Sequence, residues 1–193
     1  NEYRMDLTEF DRLFDKDKYK RHPWEISRRD VLLKLLQSSK IKFPVKRIVD
    51  IGGGDAFIIN EIYKQNLASV YFTIDTAYSP EIISQLKANY GDTPIQYVQN
   101  LRDYFATFPS EENTLFLCMD VLEHLENENE ILNHLTQNNN YFLFAVPAFQ
   151  SVFSNHDVLL GHYRRYNLKQ LEHVLNQHDL IMMCCSDITE GII

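Results

Sequence analysis

The chain has 193 residues, of which 45% are hydrophobic and 24% are charged. Such a composition excludes an intrinsically disordered protein, and the length suits a single domain with one core. The formal net charge of −8 argues against broad binding to a nucleic-acid backbone, because that requires a basic surface. No apolar run reaches the roughly 18 residues of a membrane-spanning helix, and no signal-peptide pattern is present, so we expect neither feature.

The three cysteines indicate a reducing compartment. Cys118, Cys184 and Cys185 all lie in apolar runs, and their spacing is not that of a metal site. Unpaired thiols of this kind are typical of proteins that are kept reduced. We therefore predict a cytoplasmic protein.

The periodicity of the apolar residues predicts alternating helices and strands. Helices are expected over 26–37, 55–65, 79–90, 126–137 and 167–177, and strands over 47–51, 69–75, 94–98, 113–119, 141–146 and 180–188. This alternation is typical of an α/β fold in which helices cover both faces of a parallel sheet. Residues 1–45 are predicted to form an N-terminal helical lid segment, and residues 46–193 the main domain, within one structural unit.

The first strand runs directly into three glycines, at positions 52 to 54. Such a turn lets the backbone approach a ligand at the carboxyl end of a parallel sheet. The dinucleotide fingerprint needs a third glycine where this chain has Phe57, which argues against a nucleotide-dependent dehydrogenase. Asp50, two residues before the first glycine, would repel a pyrophosphate but suits a positively charged cofactor with an ammonium group, such as S-adenosylmethionine (SAM). The alternative is a turn that only closes a strand–helix unit.

A second acidic residue ends the second strand. Asp75 lies about 25 residues after Asp50. At this place in an open α/β sheet, a carboxylate binds the ribose hydroxyls of a cofactor. The alternative is a helix cap or a solvated aspartate.

The fourth strand is followed by an acidic motif, Asp120-Val-Leu-Glu123-His124-Leu. Together with the glycine turn, this motif resembles the class I SAM-dependent methyltransferases, and the resemblance spans roughly residues 20–190. The loop over 147–166 and the N-terminal sequence over 21–29 are similar to a bacterial subgroup associated with cell-surface or sugar metabolism. The resemblance implies SAM as the cofactor.

The resemblance also implies a Rossmann-like fold with the sheet order 3-2-1-4-5. Such proteins end in an antiparallel strand pair, and the last strand of that pair is expected beyond Ile193. The residues implied to bind the cofactor are Asp50, Gly52, Gly53, Gly54, Asp75, Thr76, Asn100, Leu101, Met119, Asp120 and Val121. Within this set Asp75 would bind the ribose, while Asn100 and Leu101 would face the adenine, where an aspartate is more usual.

The long connection over 147–166 is predicted to hold the methyl acceptor, because long irregular loops commonly carry function. His156, His162 and Tyr163 are the candidate catalytic residues, with His156 favoured as the general base for a hydroxyl acceptor. The alternative is that they only order the loop. Arg164 and Arg165 are expected to pair with acids of the protein, or with a carboxylate or phosphate of the acceptor.

The predicted lid segment contains two adjacent arginines, Arg28 and Arg29. Helix geometry allows only one of them to face inward, toward the methionine carboxylate of the cofactor. Trp24, four residues before Arg28, would close over the cofactor or simply pack.

The acidic motif has a second interpretation. Some methyltransferases bind Mg²⁺ with a similar stretch and a later histidine, which here would be His156. Asp120 is shorter than the glutamate usual at the first position, and we predict no metal. In the alternative, Glu123 and His124 have a structural role at the start of the next helix.

These features predict an enzyme that transfers a methyl group from SAM to an oxygen, or a nitrogen, of a small-molecule or saccharide-type acceptor. Two alternatives remain open. One is a module that binds SAM or its product without catalysis, and the other is a Mg²⁺-dependent RNA 2′-O-methyltransferase, against which the acidic charge counts. The sequence does not predict an oligomeric state.

Overall fold

The computed structural model describes residues 7–15, 20–108, 112–135, 140–180 and 182. Its strands are β1 Val45–Ile51, β2 Ala68–Ile74, β3 Ile95–Val98, β4 Thr114–Met119 and β5 Tyr141–Ala145. Its helices are α1 Leu7–Phe14, α2 Pro23–Ser38, α3 Phe57–Tyr63, α4 Pro80–Tyr90, α5 Leu101–Thr107, α6 Asn129–Leu135, α7 Asn155–Leu159 and α8 Leu168–Asn176. Two short 3₁₀ turns occupy Leu122–His124 and Gln150–Val152.

The five strands form one parallel sheet in the order β3-β2-β1-β4-β5. The predicted order and the predicted Rossmann-like α/β class are therefore confirmed. Because β1 lies between β2 and β4, the carboxyl ends of these three strands meet at one edge of the sheet. The predicted sixth strand, over 180–188, lies outside the described residues except for its first residue and residue 182.

Side chains of alternate residues of β1 pack in two apolar cores, one on each face of the sheet. Ile48 packs in the first core with Leu36 of α2 and Ile59 of α3. Val49 packs in the second core with Phe116 of β4. Since the side-chain period of a strand is two, the central strands β1 and β4 bury both of their faces, as expected for a parallel sheet under two helical layers.

The lid segment shares the first core. The buried side chain of Leu13, in α1, packs in that core, and its carbonyl oxygen accepts hydrogen bonds from Gln85 and Asn89 of α4, both at 2.9 Å. Helix α1 was not predicted, because the sequence there is polar with scattered apolar residues. The division at residue 45 stays a prediction.

Further helices differ from the sequence prediction, among them α7, which lies within the predicted loop over 147–166. Helix α3 begins at Phe57 rather than at residue 55, because Ala56 has a left-handed backbone with φ of 58°. Helix α5 was not predicted, since it is only 7 residues long and lacks a clear apolar period. Within the described residues, no helix is long and apolar enough to cross a membrane.

Candidate functional site

A cleft opens at the carboxyl edge of the sheet, between the glycine turn and α2. It encloses about 390 Å³ of space, part of it open to solvent. Asp50, Gly52, Gly53 and Met119 line it from the sheet, and Arg21, Glu25 and Arg28 line it from the side of α2. Four of the residues implied to bind a cofactor therefore share one wall.

The central group of this cleft is the carboxylate of Asp50. Its residue is only 3% exposed, and within the described part of the chain its Oδ2 has no hydrogen-bond partner. Burial raises the pKa of Asp50 to about 7, against the opposing charge of Arg28 and with help from Asp75 and Asp55. A buried, unpartnered acceptor in a cleft fits a ligand that brings a positive charge or a donor group.

The glycine turn is held against the end of β2. The amides of Gly52 and Gly53 both donate to the carbonyl oxygen of Ile74, at 2.8 and 3.1 Å. Gly52 and Gly54 have φ values of 73° and 50°, which favour glycine. A Cβ on Gly53 would lie 1.9 Å from Oγ1 of Thr73. Gly53 is therefore a glycine because of its packing against β2, a reason that needs no ligand.

Asp75 also braces the glycine turn. Its Oδ2 accepts the N–H of Gly54 at 2.9 Å, and its Oδ1 accepts the N–H of Ala77 at 2.9 Å. The residue is 2% exposed, and burial raises its pKa, opposed by these two hydrogen bonds. Each carboxylate oxygen keeps a second lone pair, so ribose binding by Asp75 stays a prediction. The next residue, Thr76, is exposed.

Three other implied cofactor residues have local roles in the structure. Asn100 caps α5, since its Oδ1 accepts the N–H of Asp103 at 2.8 Å. Leu101 opens that helix and packs at the edge of the second core. Val121 is buried in the same core, so only its backbone can reach a ligand. Contact of these residues with a cofactor stays a prediction.

Helix α2 places one arginine over the cleft and the other outside it. Arg28 forms an ion pair with Asp120, which follows β4 with φ of 53°. Arg28 also lowers the pKa of both Asp50 and Glu123, and so it lies near both carboxylates. Arg29 points away and binds Glu61 at 2.9 Å. Only one arginine faces inward, as helix geometry predicts.

Four charged side chains fasten the lid segment to the glycine turn. Arg12 of α1 donates to Glu25 at 2.9 Å and to Asp55 at 3.0 Å. Arg21 donates to the same two acids, at 3.1 and 2.5 Å. Arg12, Glu25 and Asp55 are buried. This charged clamp (Arg12, Arg21, Glu25 and Asp55) was not predicted, because partners up to 43 residues apart leave no local signal.

The loop after β5 is organised around Asp157, a residue that was not among the candidate catalytic residues. This residue is completely buried. Its Oδ1 accepts from Nε of Arg165 at 2.7 Å and lies 3.0 Å from Nδ1 of His162, while its Oδ2 accepts the N–H of Ser154 at 2.9 Å. Arg165, with Ser154 and His162, holds the pKa of Asp157 well below its usual range. An ionised Asp157 requires Nδ1 of His162 to carry a proton, which leaves Nε2 as an acceptor.

His162 lies beside the acidic motif. Its ring meets the ring of His124 edge to face, with centroids 4.7 Å apart. Glu123 completes the group, and one donor atom from each of the three residues lies within 4.8 Å of the others. Glu123 is 1% exposed, and its Oε2 has no partner among the described residues. Burial raises the pKa of Glu123 to about 7, opposed by Arg28 and Arg165.

The remaining residues of the predicted acceptor loop divide between surface and interior. His156 is exposed and does not belong to this group, so the later histidine beside the acidic motif is His162. A role for His156 as general base stays a prediction. Tyr163 is 42% exposed, and its N–H donates to the carbonyl oxygen of Glu123 at 2.7 Å. Arg164 pairs with Glu128, and Arg165 with Asp157. Both arginines therefore have protein acids as partners.

No protein-family model matches the sequence, and neither does any curated protein. Solved structures do match. An O-methyltransferase family protein from Burkholderia thailandensis is 10% identical, with a TM-score of 0.63, over 82% of this chain and 52% of its own. The N-methyltransferase NodS of Bradyrhizobium japonicum WM9 was solved with S-adenosyl-L-homocysteine (SAH). It is 16% identical, with a TM-score of 0.60, over 88% of this chain and 83% of its own. The cyclase SpnF is 12% identical, with a TM-score of 0.60, over 82% and 58%.

This chain has the class I methyltransferase fold. The predicted resemblance is thereby confirmed at the level of the fold. Identities of 10–16% define the fold alone. The same methyltransferase fold in a cyclase shows that the reaction has to be argued from the site.

Proposed function

We propose that this protein transfers a methyl group from SAM to an oxygen or a nitrogen of a small-molecule or saccharide-type acceptor. One observation carries the proposal: Asp50 keeps a buried carboxylate oxygen without a partner among the described residues, at the glycine turn of a methyltransferase fold. A group of this kind is costly to bury and is retained where a ligand completes it. The methionine part of SAM brings an ammonium group and a sulfonium that suit it.

In this proposal the carboxyl edge of the sheet holds the cofactor. Bound SAM supplies an electrophilic methyl group on a positively charged sulfur. Asp50 takes a donor or cationic group, Gly52 keeps the wall free of side chains, and Met119, which also lines the cleft, lies beneath the cofactor. Gly54 and Asp120 are assigned to the same part of the cofactor site. Asp75 is the proposed ribose ligand. Thr76, Asn100 and Leu101 are assigned to the adenine end, and Val121 contributes only its backbone.

The loop after β5 holds the acceptor. Asp157 fixes the Nδ1 proton of His162 and so makes Nε2 the ring nitrogen that can accept a proton. Nε2 then receives the hydroxyl proton of the acceptor as the new oxygen–methyl bond forms and the sulfur–methyl bond breaks, with its electron pair left on sulfur. Tyr163, largely exposed beside His162, is assigned to orienting the acceptor. The exposed His156 is the second candidate base.

A screen with methyl-labelled SAM and a panel of hydroxyl and amine acceptors tests the proposal. We expect label on at least one acceptor, and a loss of about 10²- to 10⁴-fold in kcat for His162→Ala. His156→Ala, in the same loop, is the matched variant and should lose far less. Binding of SAH without label transfer to any acceptor would instead support a non-catalytic binding module.

A further inference from the structure

Glu123, His124 and His162 form a group of potential metal ligands. It combines one carboxylate and two imidazoles at the boundary between the end of β4 and the acceptor loop. We propose that Glu123, His124 and His162 form a binding site for a divalent transition-metal ion. The site differs from the Mg²⁺ interpretation of the sequence in its third ligand and in its chemistry.

The geometry of the three side chains is close to that of a ligand set. Their donor atoms lie within 4.8 Å of one another. Metal–nitrogen and metal–oxygen bonds of about 2.1 Å place neighbouring ligands roughly 3 to 3.5 Å apart. Small rotations of the Glu123 and His124 side chains would close that difference. The two imidazole rings are already in contact, with centroids 4.7 Å apart.

His162 has the outer hydrogen bond that metal-bound histidines commonly carry. Its Nδ1 lies 3.0 Å from Oδ1 of the buried Asp157. This carboxylate fixes the tautomer and leaves the lone pair of Nε2 for the ion. Asp157 is itself held by Arg165 and by the N–H of Ser154. The ring of His162 is thus oriented before any ion arrives.

Glu123 supplies a carboxylate oxygen for which the described residues provide no hydrogen-bond donor. Its Oε2 is buried and has no hydrogen-bond partner within the described ranges. A divalent ion beside it would take the place of the missing hydrogen-bond partner.

The ligand types select the class of metal. Two imidazole nitrogens and one carboxylate suit Zn²⁺, Co²⁺, Mn²⁺ or Fe²⁺, whereas Mg²⁺ and Ca²⁺ prefer oxygen ligands. Three protein ligands leave at least one coordination position open. Asp120 is engaged by Arg28 and need not contribute.

The role of the ion in catalysis, unlike its binding, rests on the proposed function. An acceptor hydroxyl at the open position would ionise more readily and release its proton to water, as metal-bound water does. Its oxygen would then bond to the methyl carbon as the sulfur–methyl bond breaks, with the electron pair left on sulfur. With the ion bound, Nε2 of His162 is a ligand rather than the base.

Cobalt titration of chelator-treated protein tests the site directly. Visible absorption of Co²⁺ should report one equivalent bound in the wild type, and Mg²⁺ should compete poorly. His162→Ala and His124→Ala should each weaken Co²⁺ binding by about 100-fold or more, and Asp157→Asn by about 10- to 100-fold. His156→Ala, an exposed histidine of the same loop, should bind Co²⁺ like the wild type.

A parallel titration of every variant with SAH separates this site from the proposed function. If Co²⁺ fails to bind to protein that binds SAH, or binds equally well to His162→Ala and His124→Ala, the metal site is disproved. The same holds if Mg²⁺ binds as tightly as Co²⁺. If Co²⁺ binds as expected but SAH does not, the metal site is supported and the proposed methyltransferase activity is contradicted.

Discussion

Two buried carboxylic acids share one environment in this protein. Asp50 and Glu123 each keep an oxygen without a partner among the described residues, and burial raises the pKa of each to about 7. Arg28, which forms an ion pair with Asp120, lowers both pKa values. Perturbed acids of this kind cluster at functional sites, because a group selected for folding alone would be paired or apolar.

Replacing Asp50 should stabilise the protein while it damages the site. We expect Asp50→Asn to raise the free energy of unfolding at about pH 8 by about 1 to 2 kcal/mol, because it removes a buried charge. The same change should weaken SAH binding by about 10- to 100-fold, because a charged acceptor is lost. Denaturant titration and calorimetry measure the two effects, with the exposed Asp92→Asn as control.

The stability effect of Asp50 has a defined dependence on pH. Its folded pKa of about 7 lies above its unfolded value of 3.8. The stabilisation from the protonated form is complete below the unfolded pKa and is lost as pH rises toward 7. The advantage of Asp50→Asn should therefore shrink to nothing near pH 4. A variant less stable than the wild type at about pH 8 would contradict this interpretation of Asp50.

Gly53 should tolerate no side chain while Thr73 lies beneath it. Gly53→Ala places a Cβ 1.9 Å from Oγ1 of Thr73, and we expect a loss of about 1 to 3 kcal/mol. Thr73→Ala should recover part of that loss in the double variant, as a double-mutant cycle measures. The two single variants serve as the controls of this cycle. Additive losses for Gly53→Ala and Thr73→Ala would contradict the packing explanation.

Helix α2 is held over the cleft by charged contacts at its N-terminal end as well as by Leu32 and Leu36, which pack in the first core. The clamp of Arg12, Arg21, Glu25 and Asp55 links α1, the N-terminus of α2 and the glycine turn. The same helix carries Arg28 to Asp120. An element held by a buried ionic network has one preferred register, because every displacement leaves charges without partners.

Removing one member of the clamp should therefore cost more than removing a surface pair. We expect Arg12→Gln to lower the free energy of unfolding by about 3 kcal/mol, since Glu25 and Asp55 remain buried. Arg29→Gln, which breaks more exposed pairs with Asp30 and Glu61, should cost less than about 1 kcal/mol. Denaturant unfolding compares the two, and equal losses would show that the clamp does not hold α2.

At the scale of the whole molecule, the sequence predicts the sheet but not the contacts across it. Alternating strands and helices, with the usual crossover rules, lead to the order found. The glycine turn and the ends of β1, β2 and β4 were predictable for the same reason. Contacts made by distant segments were not, and the charged clamp is the clearest case.

The acceptor loop shows how one residue changes the assignment of a site. His156 and Asp157 are neighbours in sequence, and His156 was the residue predicted to act as the general base. A capping box at the start of α7 turns Asp157 inward, where its carboxylate binds Ser154 and reaches His162. His156 is then left on the surface. Short helices with such caps have too few residues for their apolar period to reveal which side is buried.

Calorimetric titration with SAH, at about pH 8 and with NAD as the comparison ligand, tests the proposed function most directly. Asp50→Asn is the variant to use. A substitution of Asp75 would also disturb the glycine turn, because the Asp75 carboxylate accepts the N–H groups of Gly54 and Ala77. We expect SAH to bind the wild type with unit stoichiometry, to bind Asp50→Asn far more weakly, and NAD to give no heat of binding. Binding of NAD in place of SAH, or SAH binding that is indifferent to Asp50, would contradict the assignment of this cleft to SAM.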